Sequence, residues 1–325
     1  MSKFDSLYIA AKEKLLAAKN IAMVTHINPD GDCTGAALAV RKLLLALGKD
    51  ADIYNEQGFP SFMEFLRGDA VFNRYTQEDG VEYDLTVFID CGNIDRAGKV
   101  AWVCEKSDFI INIDHHSTNP MFGDINIVDS TASASGLLIY DFFKACGVEI
   151  TLEVANFLYV AIMMDTGNFS YSNTDKRTHD VAGDLLELGV DPSVLTQKIL
   201  RSTTYNKLKL TAMAIDTLHM YCDGKIAVIH ASKAMYNATG TDSSDSEGFV
   251  GMIRDIKDVG FAVFLRDTTD GKLVKVSIRS NLDVDVSKIA AEYNGGGHYS
   301  AAGCSIEGKI PDVEEIIVKR LSEEL

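Results

Sequence analysis

The feature that most constrains this fold is a series of short apolar segments that each end in acidic or histidine residues. Three such segments are IAMVTH (21–26), LTVFID (85–90) and DFIINID (108–114). None of them alternates between apolar and polar residues, so both faces of each strand should be buried. Helical patterns lie between and after these segments. This arrangement is typical of an α/β domain in which a parallel sheet carries helices on both faces.

The helical segments fit repeated strand–loop–helix units. Residues 34–47 have the apolar content of a buried helix, and Gly48 marks its end. Further helices are predicted near residues 133–146, 152–164 and 177–189.

A second, smaller α/β domain is predicted from the change in pattern after residue 223. Residues 225–230, 260–267 and 273–280 are β-like, and helical patterns lie between and after them. A chain of 325 residues is also long enough for about two domains of ~150 residues. The predicted organisation is a first domain over 1–192, a helical connector over 193–223 and a second domain over 224–325.

Acidic residues and histidines gather where the strands of the first domain end. They are His26, Asp30, Asp32, Asp90, Asp114, His115 and His116, and Asp165 follows an apolar helix. In open α/β sheets the carboxyl ends of the strands face one crevice, so these side chains should lie close together. Neighbouring carboxylates disfavour each other's ionisation. The four carboxylates of Asp30, Asp32, Asp90 and Asp165 would balance the charge of two divalent cations.

Mixed imidazole and carboxylate ligands favour Mn²⁺, Fe²⁺ or Co²⁺ over Mg²⁺. Two such ions are the usual machinery for hydrolysing phosphate esters. Each residue also has a simpler explanation: His26 could be a core histidine, residues 28–31 are all turn formers, and adjacent histidines cannot easily share one ion. Their joint occurrence at the ends of strands and helices favours a metal site.

The second domain contains a glycine run and an arginine that could bind an anion. Residues 294–298 read NGGGH, and the unshielded amides of three glycines suit an anion, although a hairpin turn is the simpler explanation. Arg279 ends a predicted strand, where it could pair with a phosphate or lie on the surface. The run is not a G-x-G-x-x-G fingerprint, so it does not favour a dinucleotide cofactor.

The composition excludes several classes of protein. The net charge is −16, from 31 Lys and Arg against 47 Asp and Glu, so the chain should not coat duplex DNA. A small anionic substrate remains compatible, because a few cations can dominate the field inside a cleft. The six cysteines form no C-x-x-C pair, and no long uncharged apolar run or signal peptide is present. We therefore expect a cytoplasmic protein that does not span a membrane.

Taken together, these segments resemble the DHH phosphoesterase family. The matching segments of the first domain are THINPDGD (25–32), VFIDCGN (87–93), DHH (114–116) and MDTGNF (164–169). In the second domain, SIRS (277–280) and NGGGHYSAAG (294–303) resemble the DHHA1 domain of that family. The resemblance implies a DHH domain, a smaller DHHA1 domain and an active site in the cleft between them.

The resemblance also implies a role for each candidate residue. His26 and Asp30 would bind the first metal ion, and Asp32, His115 and Asp165 the second. Asp90 would bridge both ions, with Mn²⁺ as the expected metal. His116 would act on the leaving oxygen, with Asp30 and Asp32 also counted as catalytic, and Asp114 would orient its neighbours. The implied substrate-binding residues are Arg279, Gly295, Gly296, Gly297 and His298.

Length separates the subfamilies. The chain lacks the added domain of RecJ-type exonucleases and the membrane segments of some cyclic-dinucleotide phosphodiesterases, and its NGGGH run differs from family II pyrophosphatases. The stand-alone type remains, which is similar to enzymes that hydrolyse very short oligoribonucleotides and 3′-phosphoadenosine 5′-phosphate (pAp). Two other functions remain possible alternatives: a cyclic di-AMP or linear dinucleotide phosphodiesterase, and a nucleotide-sensing protein without turnover. A homodimer also remains a possible oligomeric state.

Overall fold

The computed structural model describes residues 4–74, 82–200, 203–268 and 272–325. The chain divides into two compact units, Met1–Ser202 and Thr203–Leu325. Each unit contains one sheet of six strands.

The first unit is built on a parallel sheet with the strand order β3-β2-β1-β4-β5-β6. Its strands are β1 (Ile21–Thr25), β2 (Asp52–Tyr54), β3 (Phe72–Asn73), β4 (Leu85–Ile89), β5 (Ile110–Asp114) and β6 (Ile125–Val128). The three apolar segments correspond to β1, β4 and β5. The predicted parallel sheet is therefore confirmed.

Successive residues of the central strands enter two different apolar cores. Met23 and Val87 pack into a core formed with the long helices, whereas Val24 and Phe88 pack on the opposite face with residues of a 3₁₀ helix and a short α-helix. Because both faces of the sheet are covered, the residues that point to either face must be apolar. This explains the absence of alternation in the sequence.

The helices of the first unit follow the strand–helix pattern. They are α1 (Asp5–Ala17), α2 (Gly31–Ala46), α3 (Trp102–Glu105), α4 (Ser135–Cys146), α5 (Leu152–Asp165), α6 (Lys176–Glu187) and α7 (Pro192–Leu200), with 3₁₀ helices at Ser61–Leu66 and Ile94–Ala101. Side chains fix several helix starts: Asp30 accepts a hydrogen bond from the Cys33 amide, and Thr151 accepts one from Val154. The helices predicted near 133–146, 152–164 and 177–189 correspond to α4, α5 and α6.

The second unit contains a mixed sheet with the order β11-β12-β10-β9-β8-β7. Its strands are β7 (His219–Tyr221), β8 (Ile226–Ala231), β9 (Phe261–Asp267), β10 (Leu273–Ser280), β11 (Gly296–His298) and β12 (Ala301–Glu307). Strands β8 and β9 are parallel, and the other pairs are antiparallel. The three predicted strands of this unit correspond to β8, β9 and β10.

Helices cover both faces of this second sheet. They are α8 (Tyr205–Ile215), α9 (Lys233–Thr239), α10 (Phe249–Arg254), α11 (Val286–Ala291) and α12 (Ile310–Ser322), with a 3₁₀ helix at Ser243–Ser246. Helices α8 to α10 share a core with one face, and α11 and α12 share a core with the other. The segment predicted as a helical connector, 193–223, contains most of α7 and all of α8, but it ends in strand β7.

Within the described parts of the chain, none of the helices has the length and apolar character needed to cross a membrane.

Candidate metal centre

The candidate metal ligands lie where strands of the first unit end and where helices begin or end. His26 follows β1, and Asp30 is the residue before α2. Asp90 follows β4 with a positive φ of 56°, a backbone conformation that is uncommon for residues other than glycine. His115 follows β5, and Asp165 is the last residue of α5.

The first cluster consists of His26, Asp30, Cys33 and Asp90, whose potential ligand atoms all lie within 4.8 Å of one another. His26 Nε2 lies 3.6 Å from Asp30 Oδ2 and 3.4 Å from Asp90 Oδ2. His26 Nδ1 lies 2.7 Å from the carbonyl oxygen of Ile27, which can only accept a hydrogen. The ring therefore carries its proton on Nδ1 and presents Nε2 to the carboxylates when neutral.

The second cluster consists of Asp32, His115 and Asp165, again within 4.8 Å. His115 Nε2 lies 3.4 Å from Asp165 Oδ2 and 3.8 Å from Asp32 Oδ2. His115 Nδ1 lies 3.2 Å from the carbonyl oxygen of Ala132. This second imidazole is thus oriented in the same way as His26, with Nε2 toward the acids.

Asp90 connects the two clusters. Its Oδ2 lies 3.4 Å from His26 Nε2, and its Oδ1 lies 3.5 Å from His115 Nε2. Asp90 is only 2% exposed. Each carboxylate oxygen thus faces a different imidazole in a place that bulk water hardly reaches.

The start of α4 stabilises the buried carboxylates, a contribution that the sequence reasoning missed. The backbone amides of Ser135 and Gly136 donate to Asp32 at 2.6 and 2.9 Å. The Ser135 hydroxyl donates to Asp90 Oδ1 at 2.9 Å. A Cβ at Gly136 would lie 2.8 Å from the Ala161 Cβ, so a glycine allows this helix to approach. No local motif marks this contact, because Asp32 and Ser135 are 103 residues apart.

Burial and mutual repulsion dominate the electrostatics of the site. Burial and the nearby charges of Asp90 and Asp165 raise the pKa of Asp32 well above its usual value. Burial raises the pKa of Asp165 to about 6, with Asp90 adding to the shift and His115 opposing it. Burial alone would lower the pKa of His26, but the carboxylates of Asp30 and Asp90 outweigh it and raise that pKa.

These residues fit divalent cations. Asp32 and Asp90 are almost fully buried among further carboxylates, an arrangement that costs free energy unless positive charge compensates it. The donor set of imidazole nitrogens and carboxylate oxygens is also one that transition metals accept. All six predicted ligands, His26, Asp30, Asp32, Asp90, His115 and Asp165, lie in the two clusters.

His116 forms a third possible metal-binding group with Asp90 and His115, and it also has its own hydrogen-bonded support. Its Nδ1 lies 2.7 Å from Asp114 Oδ1, and the Asn119 amide donates to Asp114 Oδ2 at 2.6 Å. Burial would raise the pKa of Asp114, but these hydrogen bonds outweigh it and lower that pKa. The hydrogen bond to Asp114 in turn raises the pKa of His116. The sequence reasoning identified Asp114 but missed Asn119.

The predicted substrate residue Arg279 lies on one face of the second sheet. Every second residue of β10 points to this face, and these residues include Lys275, Ser277 and Arg279. Lys275 is paired with Arg266 on the neighbouring strand β9. Arg266, Ser277 and Arg279 line a cavity of about 300 Å³. Burial, followed by the charge of Arg254, lowers the pKa of Arg279. The sequence reasoning missed Arg266 and Lys275, which no motif singled out.

Gly296 and Gly297 of the glycine run lie in the edge strand β11, and Gly295 directly precedes it, so the run is not simply the hairpin turn that was the simpler explanation of its sequence. Gly296 and Gly297 pair with Gly303 and Ala302 of β12. A Cβ at Gly295 would lie 2.2 Å from the Gly303 carbonyl oxygen, and Gly297 has a φ of +151°. Close packing and backbone conformation thus require these two glycines, whereas Gly296 faces open space. The side chain of His298 lies outside the part of the chain that the structure describes.

Family models match both units. The model of the DHH family N-terminal domain matches residues 20–162, and the model of the DHHA1 domain matches residues 223–325.

Three similar proteins cover nearly all of the chain. The bifunctional oligoribonuclease and PAP phosphatase NrnA of Thermus thermophilus is 34% identical and covers 94% of this chain and 90% of its own length. The protein of the same name from Bacillus subtilis is 27% identical over 88% of this chain and 89% of its own. An exopolyphosphatase-related protein from Bacteroides fragilis superposes with a TM-score of 0.90 at 26% identity, covering 99% of this chain and 98% of that one. Together with the two matched domains, these similarities show that the chain belongs to the DHH family of phosphoesterases, hydrolases that act on phosphoester bonds.

Proposed function

We propose that this enzyme hydrolyses very short oligoribonucleotides to mononucleotides and removes the 3′-phosphate of pAp. Two divalent cations, which we propose to be Mn²⁺, would be held by the two clusters of the first unit. The similar proteins of Thermus thermophilus and Bacillus subtilis, both named for these two activities, support the proposal.

The observation that carries this proposal is the position of Asp90. Its two oxygens face His26 and His115 separately, at 3.4 and 3.5 Å, and each imidazole also faces further carboxylates. This is the arrangement expected of a residue that bridges two cations. His26 and Asp30 would hold one cation, and Asp32, His115 and Asp165 the other.

Bound divalent cations would neutralise the phosphate's negative charge and help to activate water. The protein's own contribution is orientation and proton transfer. Asp114 accepts from His116 Nδ1, so His116 Nε2 is free to donate a proton to the leaving oxygen. The hydrogen bond raises the pKa of His116 and thus favours the protonated form that this role requires. Asn119 keeps Asp114 in the orientation that His116 needs.

The charged face of the second unit supports a substrate with a second phosphate. Arg266, Lys275 and Arg279 supply three cationic side chains on this face in a chain whose net charge is −16. Arg266 and Lys275 line a cavity of about 500 Å³, together with Ser277, Gly295 and Gly303. We propose that these residues and the Gly295–His298 segment hold the part of the substrate that is not cleaved.

A panel of substrates tests the proposed function. Initial rates with Mn²⁺ would be compared for pAp, pApA, other dinucleotides, a longer RNA, cyclic di-AMP and pyrophosphate. We expect the highest kcat/KM values for pAp and the short linear oligonucleotides. A clear preference for cyclic di-AMP would instead establish the dinucleotide phosphodiesterase. Tight nucleotide binding with no turnover in Mn²⁺, Co²⁺ or Mg²⁺ would establish a sensing protein.

Metal content, oligomeric state and location are separate parts of the proposal. Elemental analysis of protein purified without added metal would test for two Mn²⁺ ions per chain. Sedimentation velocity would test for a homodimer, and fractionation of the native cells would test the predicted cytoplasmic location. The free state of all six cysteines is compatible with that location.

A further inference from the structure

Cys33 is the member of the first cluster that the sequence reasoning did not count among the metal ligands. We propose that its sulfur is an additional ligand of the cation held by His26, Asp30 and Asp90, and that it raises the affinity of this site for thiophilic cations such as Zn²⁺ and Co²⁺ more than its affinity for the proposed Mn²⁺. The inference rests on the metal centre of the proposed function.

The position of the sulfur carries this inference. Cys33 Sγ belongs to a set in which the potential ligand atoms of His26, Asp30 and Asp90 all lie within 4.8 Å of one another. Cys33 is 0% exposed, so its sulfur is shielded from bulk water. A cation of ordinary ligand distance, about 2.0–2.3 Å to nitrogen, oxygen or sulfur, fits among atoms spaced in this way.

The local backbone fixes this position. Cys33 lies in the first turn of α2, and its amide donates to Asp30 Oδ1 at 3.0 Å. The same helix start therefore positions both the carboxylate and the thiol. The sulfur's contacts with the Asp30 carbonyl oxygen and the Thr34 hydroxyl are long, at 3.7 and 3.8 Å. Contacts of this length to a weak donor do not compete with coordination.

Cys91 provides a comparison within the same chain. It is also 0% exposed, and it directly follows the proposed bridging residue Asp90. Among the described residues, however, the groups able to hold a metal include Cys33 and not Cys91. Burial and nearness in sequence are thus common to both cysteines, and only Cys33 has its sulfur among ligand atoms.

Coordination would replace the thiol proton by the cation. The S–H bond breaks, its electron pair stays on sulfur, the sulfur–metal bond forms and the proton passes to solvent. Thiolate is a soft ligand, so it adds more to the binding of Zn²⁺ or Co²⁺ than to that of Mn²⁺. The cluster without Cys33 would offer only nitrogen and oxygen.

Cobalt absorption tests the proposal without using activity. Co²⁺ would be titrated into the full-length, metal-free protein that carries Cys222→Ser, which removes the one exposed thiol. Visible d–d bands report bound Co²⁺, and a near-ultraviolet charge-transfer band reports a thiolate ligand. We expect both in this background and in its Cys91→Ser derivative. In the Cys33→Ser derivative we expect the d–d bands without the charge-transfer band.

The outcomes distinguish the two proposals. Co²⁺ d–d bands without a charge-transfer band in the parent protein would overturn the role of Cys33 and leave the metal centre intact. A charge-transfer band that persists in Cys33→Ser would overturn that role as well. Absence of both kinds of band in the parent would refute the metal centre and this inference with it.

Binding constants provide a second readout. We expect Cys33→Ser to weaken Zn²⁺ binding at least tenfold, the lower end of what the loss of a supporting group at a metal site costs. Mn²⁺ binding should change much less. Equal changes for both cations would mean that Cys33 only packs beside the site, and would overturn the proposed ligation.

Discussion

Replacing Asp165 with asparagine is expected to stabilise the metal-free protein at neutral pH while weakening its stabilisation by metal. Burial and the neighbouring carboxylate of Asp90 raise the pKa of Asp165 from 3.8 to about 6. A carboxyl group with a raised pKa binds its proton more tightly in the folded state. Its contribution to stability is therefore complete below about pH 4 and is lost as the pH rises through about 6.

The magnitude follows from the size of the shift. A shift of about 2 units at 1.36 kcal/mol per unit amounts to about 3 kcal/mol. The Asp165 side chain is 30% exposed, so solvent screening makes this an upper bound. The increase in the free energy of unfolding caused by Asp165→Asn should therefore grow by up to about 3 kcal/mol between pH 4 and pH 7.5. Loss of the Asp165 charge should also lower the pKa of Asp32, because repulsion from Asp165 helps to raise that pKa.

The assay uses the single tryptophan of the chain, Trp102, which packs against Tyr54 in the first unit. Its fluorescence would follow urea unfolding of metal-free protein at several pH values between 4 and 7.5. Asp108→Asn, at an exposed position of the same unit, is the control and should show no comparable dependence on pH. With Mn²⁺ added, wild type should gain more stability than Asp165→Asn, because the variant has lost a proposed ligand.

A stability difference between Asp165→Asn and wild type that stays constant from pH 4 to pH 7.5 would refute this reasoning. It would mean that burial and repulsion do not act on Asp165 in the metal-free protein.

Three further predictions concern the proposed roles. His115→Ala should lose bound metal, as measured by elemental analysis. His116→Ala should keep its metal and lower kcat by about 10²–10⁴-fold in steady-state kinetics. Equal metal loss in both variants would contradict the separate roles of a ligand and a proton donor. Asp90→Ala should lose turnover and weaken the binding of both cations, and calorimetric titration showing two normal sites would remove the bridging assignment. Arg279→Ala should raise KM for pAp about ten- to a hundredfold, from a charge-assisted contact of about 1.5–3 kcal/mol. It should affect bis-p-nitrophenyl phosphate much less, and an equal effect on both substrates would place Arg279 at the reacting phosphate.

The sequence predicted the first sheet because strand burial leaves a local signature. In β1, β4 and β5 both faces are covered, so consecutive residues are apolar, and this pattern needs no knowledge of the partners. Candidate ligands could be found for a related reason. His26, Asp90 and His115 follow apolar strands, and parallel strands end at one edge of a sheet.

The glycine run shows where local reasoning was insufficient. The glycines suggested an anion-binding run or a hairpin turn, but Gly295 and Gly297 allow the chain at β11 to approach β12 where a Cβ would collide with the backbone of β12. The sequence shows that a glycine has no side chain, but it does not show which part of the chain packs against that glycine. Arg266 and Lys275 were missed for a similar reason, since only the antiparallel register of β9 and β10 makes them neighbours.

The sequence by itself thus determined the sheet type and identified the candidate metal ligands, because periodicity and strand ends are local properties. Only the tertiary structure decided how those residues are supported. The amides of Ser135 and Gly136 reach Asp32 from a distant helix, and Asn119 fixes the Asp114 that orients His116. Such contacts depend on where a helix starts in space relative to a strand end, and no spacing along the chain encodes that position.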